Sequence, residues 1–164
     1  METKIKILPI AVAAVLFFML FGFVRVSGIK DSNGKLAGQL IGEWRNVYLK
    51  VIIHHQNDPV DVLEADSSNW EAKLKIHPIR THFNKDGSYY SEYLNLKDSI
   101  VRRPTGIWKA KDDSVIITQL TPDKAVYKFK LIINNDHATF NGNIDFNEDG
   151  NEDDVYFGIQ KKYN

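Results

Sequence analysis

The chain has 164 residues, the size of one domain, with 21 basic and 21 acidic side chains and no cysteine. Lack of cysteine excludes disulfides, thiolate metal sites, a cysteine nucleophile and a lipidated N-terminal cysteine. Once residues 1–28 are set aside with Lys4, Lys6, Arg25 and Glu2, 18 basic residues face 20 acidic ones, so the body has no basic stripe of the kind nucleic acid requires.

Residues 7–24, ILPIAVAAVLFFMLFGFV, carry no charge and no polar face. That length reaches the threshold for a membrane span and exceeds the usual core of an export signal. The expectation is an N-terminal hydrophobic helix that contacts the membrane through residues 7–24. It is either an uncleaved anchor or an export signal cut after Gly28. Lys4 and Lys6 precede it and Arg25, Lys30 and Lys35 follow, so charge alone does not orient it. A short N-terminus before one apolar run is the usual export arrangement. It places the body in the cell envelope, outside the cytoplasm. Residues 1–28 are thus read as anchor or signal, the turn-rich 29–35 (IKDSNGK) as linker, and 36–164 as the folded domain.

Beyond the linker the chain divides into short β-type runs between turn signals: 43–53, 79–83, 88–96, 106–110, 114–120, 124–133, 137–144 and 155–162. Asn84 to Gly87 reads as a type I turn whose glycine takes positive φ, and KDD and NND make two further hairpins. Tyr127, Phe129, Leu131 and Ile133 alternate with charged residues, apolar inward and charged outward. The last run reads the same way through Val155, Phe157 and Ile159. In the first run Trp44 is out of phase with Leu49, Val51 and Ile53, which requires either a bulge or a Trp44 below the regular strand.

Eight sequential antiparallel strands remove their edges by closing, so the expected fold is all-β, an eight-stranded up-and-down antiparallel barrel with room inside for side chains or one small ligand. The connection from His54 to Lys75 is the one long link. Residues 69–75 suit a helical turn or two, and the rest reads as loop. Residues 55–74 are expected to be the most mobile part of the body and to border the barrel mouth, with Trp70 as a lid or an exposed contact.

Gly42-Glu43-Trp44, after a short helical-looking turn and at the start of the first strand, resembles the G-x-W signature of lipocalins. The spaced pattern HFNKDGSYYSEY…GIWKAKDDSVIIT is similar to bacterial lipocalin-like domains, a resemblance covering about residues 36–162. It implies a barrel base formed by Gly42 and Trp44, with a basic residue of the last strand, Lys161 or Lys162, across the indole ring. It also implies a cavity for a small apolar ligand. Tyr89, Tyr93, Trp108, Tyr127 and Phe129 are the candidate walls, although Trp44 and Trp108 suit structural plugs better than ligand contacts. The alternative is a packed barrel without a cavity that serves as a structural or protein-interaction module.

No catalytic pattern is present: there is no G-x-S-x-G, no H-E-x-x-H and no phosphate-binding glycine loop, and the five histidines lack zinc-ligand spacing. A non-enzymatic binding domain is therefore expected. One stretch, DFNEDGNEDD, resembles the start of a calcium loop. Asp145, Asn147, Asp149 and Asp153 fall at positions 1, 3, 5 and 9, with Gly150 at the turn and Asn151 offering its carbonyl. Position 12 is Tyr156 in place of the bidentate glutamate, with Asp154 as substitute. The expected cofactor, if any, is a structural Ca²⁺ pinning the last hairpin; otherwise the stretch is an acidic turn.

Overall fold

The computed structural model describes residues 32–56 and 59–163. The apolar run at 7–24, its expected helix and the cut after Gly28 lie outside the described residues. Among those described, no helix is long and apolar enough to cross a membrane.

Helix α1 (Ser32–Leu40) begins inside the stretch read as linker and leads directly into β1 (Gly42–Ile53). Then come β2 (Asp61–Asp66), α2 (Trp70–Leu74), β3 (Arg80–Phe83), β4 (Ser88–Leu94), β5 (Ile100–Arg102) and β6 (Thr105–Lys111). The chain ends with β7 (Ser114–Thr121), β8 (Ala125–Asn134), β9 (His137–Ile144) and β10 (Asp154–Tyr163). β1, β3, β4, β6, β7, β8, β9 and β10 form a closed antiparallel ring, because β10 pairs with β1 along nearly its whole length. These are the eight expected strands, and the fold is an eight-stranded antiparallel barrel. The turns match as well: Gly87 takes φ 85° and donates its N–H to the Asn84 carbonyl, while Asp112 and Asn135 supply positive φ to the other two hairpins.

The phase problem in β1 is resolved by a bulge. Its register against β10 shifts between Asn46 and Tyr48, so Trp44 and Asn46 point inward before it and Leu49 and Val51 after it. The bulge divides β1 between two partners. Its first part, Gly42–Arg45, pairs with β3; its second, Tyr48–Ile53, pairs with β2. Two cores follow from this division. Around Trp44 gather Leu40, Phe83, Trp108, Val115, Leu131 and Phe140. Under β2 and α2 a smaller core contains Leu49, Val51, Ala65 and Trp70.

Three readings are corrected. The connection 54–75 is not structureless, since it holds β2 as well as α2. Trp70 is not an exposed contact: it is 1% exposed and fills the second core. In β10 the inward face is Tyr156, Gly158, Gln160 and Lys162, one residue out of phase with the expected Val155, Phe157 and Ile159. Phe157 instead meets Tyr48, whose hydroxyl donates to Glu64 at the surface. A slip of one residue exchanges the faces of a whole strand. It was invited here by outward apolar residues and by a glycine and a glutamine facing in.

Candidate functional site

The base is built on Trp44. Its indole is fully buried, and its Nε1–H donates to the Leu40 carbonyl at 2.7 Å, tying the end of α1 to the start of β1. Lys162 Nζ lies 5.2 Å from the ring centroid and donates to the Gln39 carbonyl at 2.7 Å. The cation across the ring is therefore Lys162. Lys161 points outward, 3.7 Å from Asp136, as the corrected phase of β10 requires. Trp108 also belongs to the base: it packs edge-on against Phe83 and donates to the Asn84 carbonyl, and it is not part of the cavity wall.

Past this core the barrel opens into a cavity of about 380 Å³. Of the expected wall residues, Tyr89, Tyr93, Tyr127 and Phe129 do line it. The remainder of the wall is more polar than the sequence led us to expect. Asn46, Thr81, Ser91, Gln119 and Gln160 face inward from five different strands, and all five are buried. Each occupies an inward position of its strand. The signal was present in the alternation, but it is invisible to a search for apolar faces.

Most of these polar groups have partners within the protein. The hydroxyls of Thr81 and Ser91 share a hydrogen bond of 2.9 Å, and Gln119 Nε2 donates to the Asp123 carbonyl at 2.8 Å. Burial pushes the phenols of Tyr89, Tyr93, Tyr127 and Tyr156 up from their ordinary value, with Arg102 pulling the other way at Tyr89, Tyr93 and Tyr127. All four are therefore neutral hydroxyl groups. Tyr156 lies back over Gly158, where an added Cβ would stand 2.5 Å from its hydroxyl, and its ring meets Phe129 at 5.1 Å. Arg102, Phe146 and Glu148 are exposed members of the lining and mark the opening to solvent.

The acidic stretch forms one side of this opening. The Asp145 carboxylate accepts from the backbone N–H groups of Asp149 and Gly150, each at 3.0 Å. Asn147 Oδ1 also accepts from Asp149 N–H, and Asp149 accepts from Asn151 N–H at 2.9 Å. Asp145, Asn147, Asp149 and Asn151 thus share one tight turn, with Glu148 and Gly150 at positive φ. Asp153 stands apart from them, beside His54 and Asp154, where one ligand-type atom of each lies within 4.8 Å of the others.

The residue that sequence reasoning undervalued is Asp154. It is fully buried and accepts backbone N–H groups from His54 (2.7 Å), Phe146 (2.7 Å) and Asn147 (3.2 Å). Burial alone would raise its carboxyl pKa, but these three donors outweigh burial and hold it below the ordinary value. It joins the end of β1 to the β9–β10 turn, and Asn147 strengthens the joint by donating to the His54 carbonyl at 2.8 Å.

The chain matches no model of a known protein family and no curated protein.

Proposed function

We propose that the protein is a lipocalin-like, non-enzymatic binding domain of the cell envelope that holds a small molecule inside its barrel. The observation that carries this reading is the cavity of about 380 Å³, which falls within the roughly 300–1,000 Å³ of small-molecule sites. Aromatic walls beside a few convergent polar groups suit a ligand better than a packed scaffold would. The Gly42-Glu43-Trp44 base and its Lys162 partner support the family likeness. Residues 7–24 serve as membrane anchor or export signal in this reading, with the barrel outside the cytoplasm. Native mass spectrometry of the full chain isolated from its natural host tests the binding role. The expected result is a population heavier than the chain by one small molecule, released on unfolding. A population at the mass of the chain alone contradicts it.

A structural Ca²⁺ in the 145–154 turn is a second part of the reading. It is favoured by the gathering of Asp145, Asn147 and Asp149 around the turn at Gly150. Because that turn already carries its own hydrogen bonds, the ion would add to an existing shape. A higher melting temperature in millimolar calcium than in chelator, absent in Asp149→Asn, supports it. Identical melts leave an acidic turn.

A further inference from the structure

The outer wall of the barrel is not evenly charged. The four neighbouring strands β6, β7, β8 and β9 contain no aspartate or glutamate. Lys109 and Lys111 on β6 and Lys128 and Lys130 on β8 alternate with inward residues, and all four are exposed. The register sets them in two rows across β7: Lys109, Ile116 and Lys128 in one, Lys111, Ser114 and Lys130 in the next. At ordinary strand spacing their backbone positions mark a rectangle of about 7 by 10 Å. Across the ring, on β1, Arg45 stands beside Glu43 and Lys50 beside Glu64 of β2. In the lysine rows only Lys130 has such a partner among the described residues, Asp113 at 3.6 Å, in the turn that also holds Asp112.

Apolar side chains continue the same face. Ile107, Leu120 and Val126 are exposed on β6, β7 and β8, and Ile107, Thr118 and Val126 make the row next to Lys109 and Lys128. Lysines beside exposed aliphatic groups match a bilayer surface, where phosphates take the ammonium groups and the boundary of the acyl region takes the aliphatic ones. The phosphates of a nucleic acid would leave the aliphatic row in water. The length of chain before the barrel agrees. Residues 7–24 carry no charge, and the path from Val24 to Ser32, where α1 begins, spans no more than about 30 Å at full extension. α1 packs on the base through Leu36, Ala37 and Leu40, and Lys111 and Lys130 stand at that same end of the barrel.

We propose that the outer face of β6, β7 and β8 docks on an anionic phospholipid bilayer, with the lysine rows on headgroup phosphates and Ile107, Leu120 and Val126 at the acyl boundary. This rests on the reading of residues 7–24 as a membrane anchor and names the surface that the tethered barrel turns to the lipid. The acidic 145–154 turn, between β9 and β10, lies off this face.

Paramagnetic broadening of the isotope-labelled full chain in nanodiscs that carry a gadolinium-chelating lipid tests the proposal. With phosphatidylglycerol present, amide broadening at Ile107, Lys109 and Lys128 should exceed that at Lys50 and Glu64, across the ring, by about tenfold. The ratio should fall to within about twofold in phosphatidylcholine alone or at high salt. The quadruple variant Lys109→Gln, Lys111→Gln, Lys128→Gln and Lys130→Gln should lose the contrast in phosphatidylglycerol as well. The wild-type lipid comparison stands by itself should that variant not fold. Equal broadening around the ring, or a contrast that ignores lipid charge, overturns the docking face while leaving a tethered barrel. Tight binding of a labelled single-stranded DNA without that contrast overturns it in favour of nucleic acid. A chain that does not co-elute with the nanodiscs overturns the anchor reading, and the docking face with it.

Discussion

At the base of the barrel Trp44, Phe83, Trp108, Leu131 and Phe140 close on one another with only the two indole N–H groups as polar atoms, and both of those have carbonyl partners. Farther up the barrel, on β1, β3, β4, β7 and β10, inward positions are held by Asn46, Thr81, Ser91, Gln119 and Gln160, which border open space. β1 shows the contrast within one strand: Trp44 plugs the base, and Asn46, one inward position later, faces the cavity. The base is built for stability, where dispersion and burial of apolar surface dominate. The cavity half tolerates polar side chains and unfilled volume, both of which cost stability, and such a cost is usual where a site is kept for binding.

The largest expected effect lies at the base. Trp44→Ala removes a fully buried indole together with its hydrogen bond and the Lys162 contact, and should cost about 3–5 kcal/mol in denaturant unfolding. A loss below about 0.5 kcal/mol, the size of an ordinary surface change, would remove the plug from the description.

Asp154 comes next and is the exception at the mouth. Asp154→Asn keeps the size but withdraws a charged, fully buried acceptor from three backbone donors, for an expected loss of about 2–3 kcal/mol. The pH dependence has a definite sign. The folded state keeps this carboxyl ionised more readily than the unfolded chain, so its contribution is complete above the ordinary 3.8 and is lost as pH falls below it. Unfolding midpoints measured across the acid range should fall more steeply in wild type than in Asp154→Asn. Parallel curves would mean that Asp154 is not held as described.

A smaller loss is expected at Gly158. Gly158→Ala sets a methyl group against the Tyr156 hydroxyl and displaces the ring from Phe129, which should cost about 1–3 kcal/mol in the same unfolding assay. The smallest effect is expected from the paired change Thr81→Val with Ser91→Ala. It replaces both partners of one cavity hydrogen bond and should shift stability by less than about 0.5 kcal/mol. A loss as large as that of Trp44→Ala would mean that the two halves of the barrel are not differently built.

What was legible in the sequence followed the same division. All eight ring strands were readable because turn residues such as Asn84 to Gly87 punctuate them and because β8 alternates cleanly. Trp44 was placed correctly, and even its phase conflict pointed to the bulge at Asn46 and Tyr48. β2 and β5 were missed because they pair beside the ring and present exposed apolar residues, Val62, Ile100 and Val101, which look like neither a buried nor an alternating strand. β10 was read on the wrong face because its cavity side holds Tyr156, Gly158 and Gln160 while Val155, Phe157 and Ile159 lie outside. Hydrophobic periodicity reports a packed core. It fails where the interior is a polar cavity, and for that reason four of the five expected wall residues were found but none of the polar ones.

The proposed binding role of the cavity half is tested most directly by filling it. Ser91 is buried, lines the cavity and has open volume before it, so Ser91→Phe places a ring where a ligand would sit. Fluorine NMR titration of 5-fluoroindole against the full chain in phospholipid nanodiscs should give saturable binding in wild type and none in Ser91→Phe, with a melting temperature that stays within a few degrees because the added ring enters existing space. Binding that survives the substitution unchanged, or no binding by the wild type, would contradict a barrel that holds its ligand inside.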